Sequence, residues 1–210
     1  MLKEGAIVKL DGIDPEFSEP IADSFATVIT KYPSVKDAFA GITTEDTKGE
    51  YFSTHETGMA AYDPSTQLIH LNVKHYSNRA ELEQKYAESL AKKFHPEGTT
   101  VDSNIVHEMG HAIDRYVSEK IIPRHRFIWN QERVSQRIWN NDIKAGQKSG
   151  EPMTGKSIRD GLSGYASKSA GEYLAEGFSE FMTSSNPRPM ATKIGKRVEQ
   201  YIRKAEKAGE

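Results

Sequence analysis

The segment from Ser103 to Val117 constrains the fold of this chain more than any other. Ile105, Val106, Met109, Ala112, Ile113, Tyr116 and Val117 recur three and four residues apart, which predicts a helix with a broad apolar face. Within that pattern stand His107, Glu108 and His111, polar groups that are costly to bury unless they are paired or bind a metal. Any fold must therefore pack this helix and also give those groups partners. Positions i and i+4 lie on one helix face. The imidazoles of His107-Glu108-Met109-Gly110-His111 can thus grip one zinc ion, at about 2.0–2.1 Å each. Glu108 lies about 100° round the helix and can face a water on the metal rather than the metal itself.

The rest of the chain divides into a strand-bearing first part and a helical remainder. Ala6–Leu10 reads as a short strand. Ile21, Phe25, Val28, Ile29 and Tyr32 predict a helix, with Ser18 as a candidate cap and Pro33 as its stop. Residues 41–58 are Thr- and Gly-rich with little periodicity. Met59–Tyr62 and Gln67–Val73 read as two strands about an Asp63-Pro64-Ser65-Thr66 turn. In the second strand Ile69, Leu71 and Val73 alternate with His70 and Asn72, as in a half-exposed strand. Asn78 and Glu81 resemble a capping box before the stripe Leu82, Tyr86, Leu90, Phe94. Further helices are expected over about 124–140, 169–184 and 190–207. The span 141–171, with six glycines, reads as a long loop. Strands first and helices after predict an α+β fold, with a small sheet packed on the His107–His111 helix and further helices C-terminal to it. The expected organisation is one domain, 1–210: an N-terminal part (1–58), a core (59–185) and a C-terminal helix (186–210).

Composition removes several alternatives. There is no cysteine, which excludes disulfides, Cys-ligated zinc, iron–sulfur clusters and thiol nucleophiles. With 28 Lys+Arg against 30 Asp+Glu, no general nucleic-acid or membrane-surface binder is expected. No apolar run approaches transmembrane length, and Ala6–Leu10 is too short for a signal-peptide core. The compartment and oligomeric state stay open.

A catalytic zinc site needs a third protein ligand and an open fourth position. The extended metzincin pattern would place a His where Val117 stands. His125 lies in the polar run Pro123-Arg124-His125-Arg126 and reads as a surface residue. His70 and His75 read as non-ligands. The better candidate lies in Glu172-Tyr173-Leu174-Ala175-Glu176-Gly177-Phe178-Ser179-Glu180-Phe181, where Glu172, Glu176 and Glu180 share one helix face. Like charges at that spacing repel, so three of them beside apolar residues invite a cation or a His-rich partner. Glu172 is the favoured ligand and Glu176 the alternative. A Ser169–Glu172 capping box is the bland reading.

Taken together, His107-Glu108-Met109-Gly110-His111-Ala112-Ile113-Asp114, Tyr165 and Glu172-Tyr173-Leu174-Ala175-Glu176-Gly177-Phe178 resemble a family of gluzincin-type zinc metallopeptidases. It includes the catalytic domain of anthrax lethal factor and the clostridial Pro-Pro endopeptidases. In that family a Tyr precedes the Glu ligand by seven residues and a second Glu follows it by four; Tyr165, Glu172 and Glu176 reproduce both spacings. The resemblance spans roughly residues 60–185. It implies a zincin-like fold and a Zn²⁺ held by His107, His111 and Glu172. It also implies Glu108 as general base, Tyr165 as oxyanion donor, and Asp114 and Glu176 as acids orienting the ligating imidazoles. The large delivery domains of the toxin are not represented in this sequence.

The chemistry agrees with those roles. Zinc lowers the pKa of its water toward about 7. Glu108 takes that proton and returns it to the leaving amine, and the Tyr165 hydroxyl can donate to the oxyanion. A metal-bound His usually hands its second ring N–H to a carboxylate, which suits Asp114 and Glu176. The strand Gln67–Val73 is expected as an edge strand that binds an extended peptide. The glycine-rich span 141–171 is expected as a mobile flap carrying Tyr165. The expected function is a zinc-dependent endopeptidase acting on a protein or peptide. The competing readings are a non-enzymatic structural or assembly module with a retained zinc site, and a metal-dependent hydrolase of a non-peptide bond.

Overall fold

A computed structural model describes residues 4–46, 49, 52–53, 58–129 and 132–208. Its secondary structure opens with β1 (Ile7–Val8), α1 (Ser18–Lys31), β2 (Gly41–Glu45), β3 (Ala60–Asp63) and β4 (Leu68–Asn72). Among the described residues eight α-helices follow: α2 (Val73–Tyr76), α3 (Arg79–Ala91), α4 (Ser103–Ile121), α5 (Arg124–Trp129), α6 (Val134–Ser149), α7 (Gly155–Gly161), α8 (Ala170–Thr183) and α9 (Pro189–Ala208). The class is α+β, as expected. A mixed sheet of four strands in the order β1-β2-β4-β3 forms the first part, and helices form the rest.

The sheet differs from expectation in one element and one position. The strand β2 lies in the Thr- and Gly-rich stretch read as unstructured; part of that stretch lies outside the described residues. Only Ile42 supplies it with a large apolar side chain, so no alternation was visible. At Gly41, φ is +137°, and a Cβ there would collide with the Ile7 carbonyl, so β1 and β2 approach where only glycine fits. β1, β2 and β4 run parallel, and β3 pairs antiparallel with β4 through Ala61↔His70 and Tyr62↔Ile69. The strand at 67–73 is therefore internal, and β3 is the edge. With β2 paired on one side and β3 on the other, β4 is more buried than a half-exposed strand: Ile69, Leu71 and Asn72 are all buried. Asn72 also ends the strand, its side chain capping α2 by accepting from Lys74 N–H at 3.1 Å.

The helices follow the sequence pattern with three local corrections. Ser18 is inside α1, whose cap position is Phe17. The helix expected over 124–140 is broken into α5 and α6. The supposed loop 141–171 contains the end of α6, the whole of α7 and a 3₁₀ turn at Tyr165–Ser167. Three of the glycines bound elements rather than forming a loop: Gly150 ends α6 with φ +79°, and Gly155 and Gly161 open and close α7. One cluster of buried side chains extends from Phe17 to Ala205, and α4 lies at its centre, touching the sheet, α1, α6, α8 and α9. Among the described residues no helix is long and apolar enough to cross a membrane.

Candidate metal centre

The site is made by the crossing of α4 and α8. A Cβ at Gly110 would lie 3.0 Å from Ala175 Cα, so the two helices approach backbone to backbone at that point. Gly110 lies between His107 and His111, and Ala175 lies between Glu172 and Glu176. Two small residues thus bring both acids against both imidazoles. Ser169 starts α8 by accepting from Glu172 N–H at 3.1 Å. The Glu172 carboxylate does not return to complete a capping box and turns to the histidines instead.

Three atoms converge there. His107 Nε2 and His111 Nε2 are 3.1 Å apart; Glu172 Oε2 stands 3.1 Å from the first and 3.4 Å from the second. Ligand atoms at about 2.0–2.1 Å from a tetrahedral metal stand about 3.3–3.4 Å from each other. The observed triangle is therefore close to one face of such a coordination shell. Glu172 Oε2 is buried, and its ion-pair contacts are to the two imidazole Nε2 atoms. His107, His111 and Glu172 form a group that could hold a metal ion. Burial alone would lower the basicity of His107, but hydrogen bonds to Glu172 and Glu176 overturn it and hold its pKa well above the usual imidazole range. Burial alone would likewise raise Glu172, and the two imidazoles instead hold it well below the carboxylate range. Each partner is thus a strong charge demand on the other, which a bound cation would satisfy.

Glu176 lies behind the triangle. Its Oε1 accepts from His107 Nδ1–H at 2.8 Å and its Oε2 from the Ser163 hydroxyl at 2.7 Å. Burial works to raise its pKa, but the His107 and His95 contacts outweigh it and set it at about 2. The bond to Nδ1–H fixes the orientation of the His107 ring and aims Nε2 at the triangle, where a metal would take the place of the Nε2 proton. Asp114 does not do this for His111. Its carboxylate accepts from Ser135 N–H at 2.8 Å and from the Ser135 hydroxyl at 2.7 Å. The cap position of α6, Arg133, makes no side-chain cap, so Asp114 serves the Ser135 amide at that helix start, and the Ser118 hydroxyl serves Val134 N–H. Glu180, the third acid of the α8 face, is fully buried and paired with Arg188 at 2.7 Å.

Glu108 points to the other side, where its Oε2 accepts from Tyr62 N–H at 2.8 Å. That N–H lies on the outer edge of β3, away from β4, and α4 is the element facing it. A cleft of about 450 Å³ opens along this edge. Ala60, Ala61 and Tyr62 line it on one side, and His107, Glu108, His111, Glu172 and Tyr165 on the other. A second arm of about 310 Å³ continues past Met59, Phe94, His95 and Lys168.

Tyr165 is in the cleft, with its ring centroid 5.8 Å from that of His107. It is not on a flap. Gly164 N–H and Tyr165 N–H donate to the Lys93 and Phe94 carbonyls at 2.7 and 3.0 Å. Arg188 holds the Leu162 carbonyl, and Ser163 is bonded to Glu176. Tertiary hydrogen bonds override what the glycine content suggested. His125 is exposed, and His70 pairs with Glu45 at 3.1 Å, so neither joins the site. The structure adds His95, Ser163 and the Tyr62 amide to the surroundings of the centre. No sequence motif marks any of them, because each arrives from a separate segment. Compared with protein-family models, with curated proteins and with solved structures, the chain matches none.

Proposed function

We propose that the protein is a zinc-dependent endopeptidase with a zincin-like catalytic domain, as its resemblance to the lethal-factor and Pro-Pro endopeptidase family implies. The observation that carries this reading is the triangle of His107 Nε2, His111 Nε2 and Glu172 Oε2, with Glu108 beside it in an open cleft. Two imidazoles and one carboxylate suit zinc, and the cleft leaves room for a further position. When bound, zinc supplies Lewis acidity, bringing a water toward a pKa of about 7 and polarising a carbonyl.

The chain's own residues supply the rest. Glu176 keeps the His107 ring in one orientation. Glu108, held by the Tyr62 amide, takes the proton of the attacking water and returns it to the leaving amine. Tyr165, fastened by its turn, donates its hydroxyl to the oxyanion. The outer edge of β3 borders the cleft, where an extended peptide can bind by backbone hydrogen bonds. An antiparallel edge strand facing the two-histidine helix, in an otherwise parallel small sheet, supports the zincin-like assignment.

The test is chelator-sensitive cleavage of a peptide library by zinc-loaded protein. Glu108→Gln should retain stoichiometric zinc and lose turnover by at least about 10²-fold, because its role is proton transfer. Undiminished turnover in that variant would exclude the mechanism.

A further inference from the structure

We infer that Arg115 and Arg133 select the substrate by gripping a carboxylate side chain, Asp or Glu, a short way N-terminal to the bond that is cut; this rests on the endopeptidase reading above. Both arginines line the cleft that holds the metal triangle, at its Pro64 end. Arg115 stands four residues after His111 on α4, so it lies one turn further along the same face. Arg133 is the cap residue of α6, and the next two residues are tied to α4. Val134 N–H donates to the Ser118 hydroxyl at 2.9 Å, and Ser135 N–H donates to Asp114 at 2.8 Å. Those bonds hold the start of α6, and Arg133 with it, against the cleft. Asp114, which does not orient His111, thus places the second arginine. Both guanidiniums, with Glu119 and Asp63, also act on the Tyr62 hydroxyl, whose pKa burial pushes up to about 12.

The acids around this end have partners in the protein. Glu119 meets Arg115 at Nε, 2.8 Å away, one of the five N–H donors a guanidinium carries. Asp63 accepts from Ser65 N–H and from the Thr66 hydroxyl, both at 2.7 Å. Glu132, next to Arg133 in sequence, meets Arg126 at 2.6 Å and Arg137 at 2.7 Å. Arginine stays charged at any working pH, and its planar fork matches a carboxylate with two parallel hydrogen bonds. Chain direction gives the side of the cut. β3 and α4 run the same way along the cleft, with Met59 and Asn104 on its far arm and Pro64 and Arg115 at this end. An extended peptide pairing with β3 in the more stable antiparallel sense starts at the Pro64 end, so its residues before the cut pass the arginines. Four residues of helix advance about 6 Å and an extended chain about 3.3 Å per residue, which sets the carboxylate about two residues before the cut.

Full-length, zinc-loaded protein is given a peptide library, and the best-cleaved sequence is remade as a pair carrying Glu or Gln at the selected position before the cut. Wild type should cleave the Glu peptide with a kcat/KM about 10- to 100-fold higher, the range for hydrogen bonds to a charged group. Added salt should shrink that ratio. Arg115→Gln and Arg133→Gln should each bring the ratio toward one, with the Gln peptide cleaved as by wild type and zinc content unchanged. Arg133→Glu should turn the preference toward a Lys peptide. Arg133 sits at a cap position without a side-chain cap, so its variants carry the test if Arg115→Gln does not fold. If wild type cleaves no peptide, the endopeptidase reading fails and this assignment with it. If wild type cleaves the Glu and Gln peptides equally, prefers an acid only after the cut, or keeps its preference in the arginine variants, this inference alone is overturned.

Discussion

Replacing Glu172 with Gln tests the metal triangle most directly, because the change keeps the volume and removes the charge. Metal that binds only the folded state stabilises it by RT ln(1 + [Zn]/Kd), which is about 4.1 kcal/mol at free zinc one thousand times Kd. For a chain of this size 1 kcal/mol moves Tm by about 2–4 °C, so wild type should melt roughly 8–16 °C higher with zinc than without. Disturbing a group one step behind a ligand already costs about 10- to 100-fold in metal affinity. Losing one of three atoms spaced 3.1–3.4 Å apart should cost at least about 100-fold. At the same buffered zinc the variant then sits near ten times its Kd, and the gain falls to about 1.4 kcal/mol, or roughly 3–6 °C. Glu172 also pairs with both imidazoles when no metal is bound, so the metal-free variant has its own altered Tm. The zinc-dependent increment is therefore the quantity to read, by calorimetry at two free-zinc concentrations. An increment equal to that of wild type would remove Glu172 from the ligand set and turn attention to Glu176.

Three other outcomes follow from the same geometry. Tyr62→Pro deletes the N–H that holds Glu108, at an outward-facing edge position where the strand loses no ladder bond. Relative to Tyr62→Ala, which loses the same side chain, it should show a lower kcat on a cleaved peptide with equal zinc content; equal kcat would make that hydrogen bond incidental. Tyr165→Phe should lower kcat by about 10²- to 10³-fold with little change in KM, and normal turnover would exclude the hydroxyl as oxyanion donor. Glu199 is held below its ordinary pKa: burial raises it, and the Tyr32 hydroxyl at 2.7 Å with Lys31 at 3.2 Å more than compensates. A depressed carboxylate adds stability above its unfolded value of 4.5, lost as pH falls through the lower folded value. Glu199→Gln should thus melt lower than wild type at neutral pH, by an amount near 1 kcal/mol, and the gap should close in acid; a gap independent of pH would rule out the charge as its cause.

What was legible in the sequence depended on how local each signal was. Helix α4 announced itself through an apolar stripe, and the β3–β4 hairpin through two short runs about a turn, the second of them alternating, because both patterns lie within twenty residues. β2 went unread because its partners are β1 and β4 on either side, and a strand fed by two neighbours does not need its own alternation. Tyr165 was placed at the site by the family resemblance, but its attachment was not, since the bonds that pin its segment involve Lys93, Phe94, Glu176 and Arg188. Asp114 failed for a similar reason. It stands three residues after His111, but Ser135 at the start of α6, 21 residues on and in no motif, competes for the same oxygens and takes them.

The crossing of α4 and α8 explains why the acids of α8 have such different fates. Near Ala175 the helices are at their closest, and Glu172 and Glu176, three residues before and one after, are both within reach of the imidazoles. Glu180 lies one further turn along α8, and Arg188 receives it there. The spacing of four residues that repels three like charges in an isolated helix therefore serves three different cations or donors in the folded chain. The same crossing fixes the order of events at the centre. Glu176 is 2% exposed and already bonded to Ser163 and His107, so it cannot be drawn into a coordination shell without stranding both. Glu172 Oε2 has its contacts with the two Nε2 atoms of the triangle themselves, so a metal there would take over those contacts without stranding another group. Of two acids one turn apart, the one whose buried oxygen faces both Nε2 atoms is the one placed to complete a metal site.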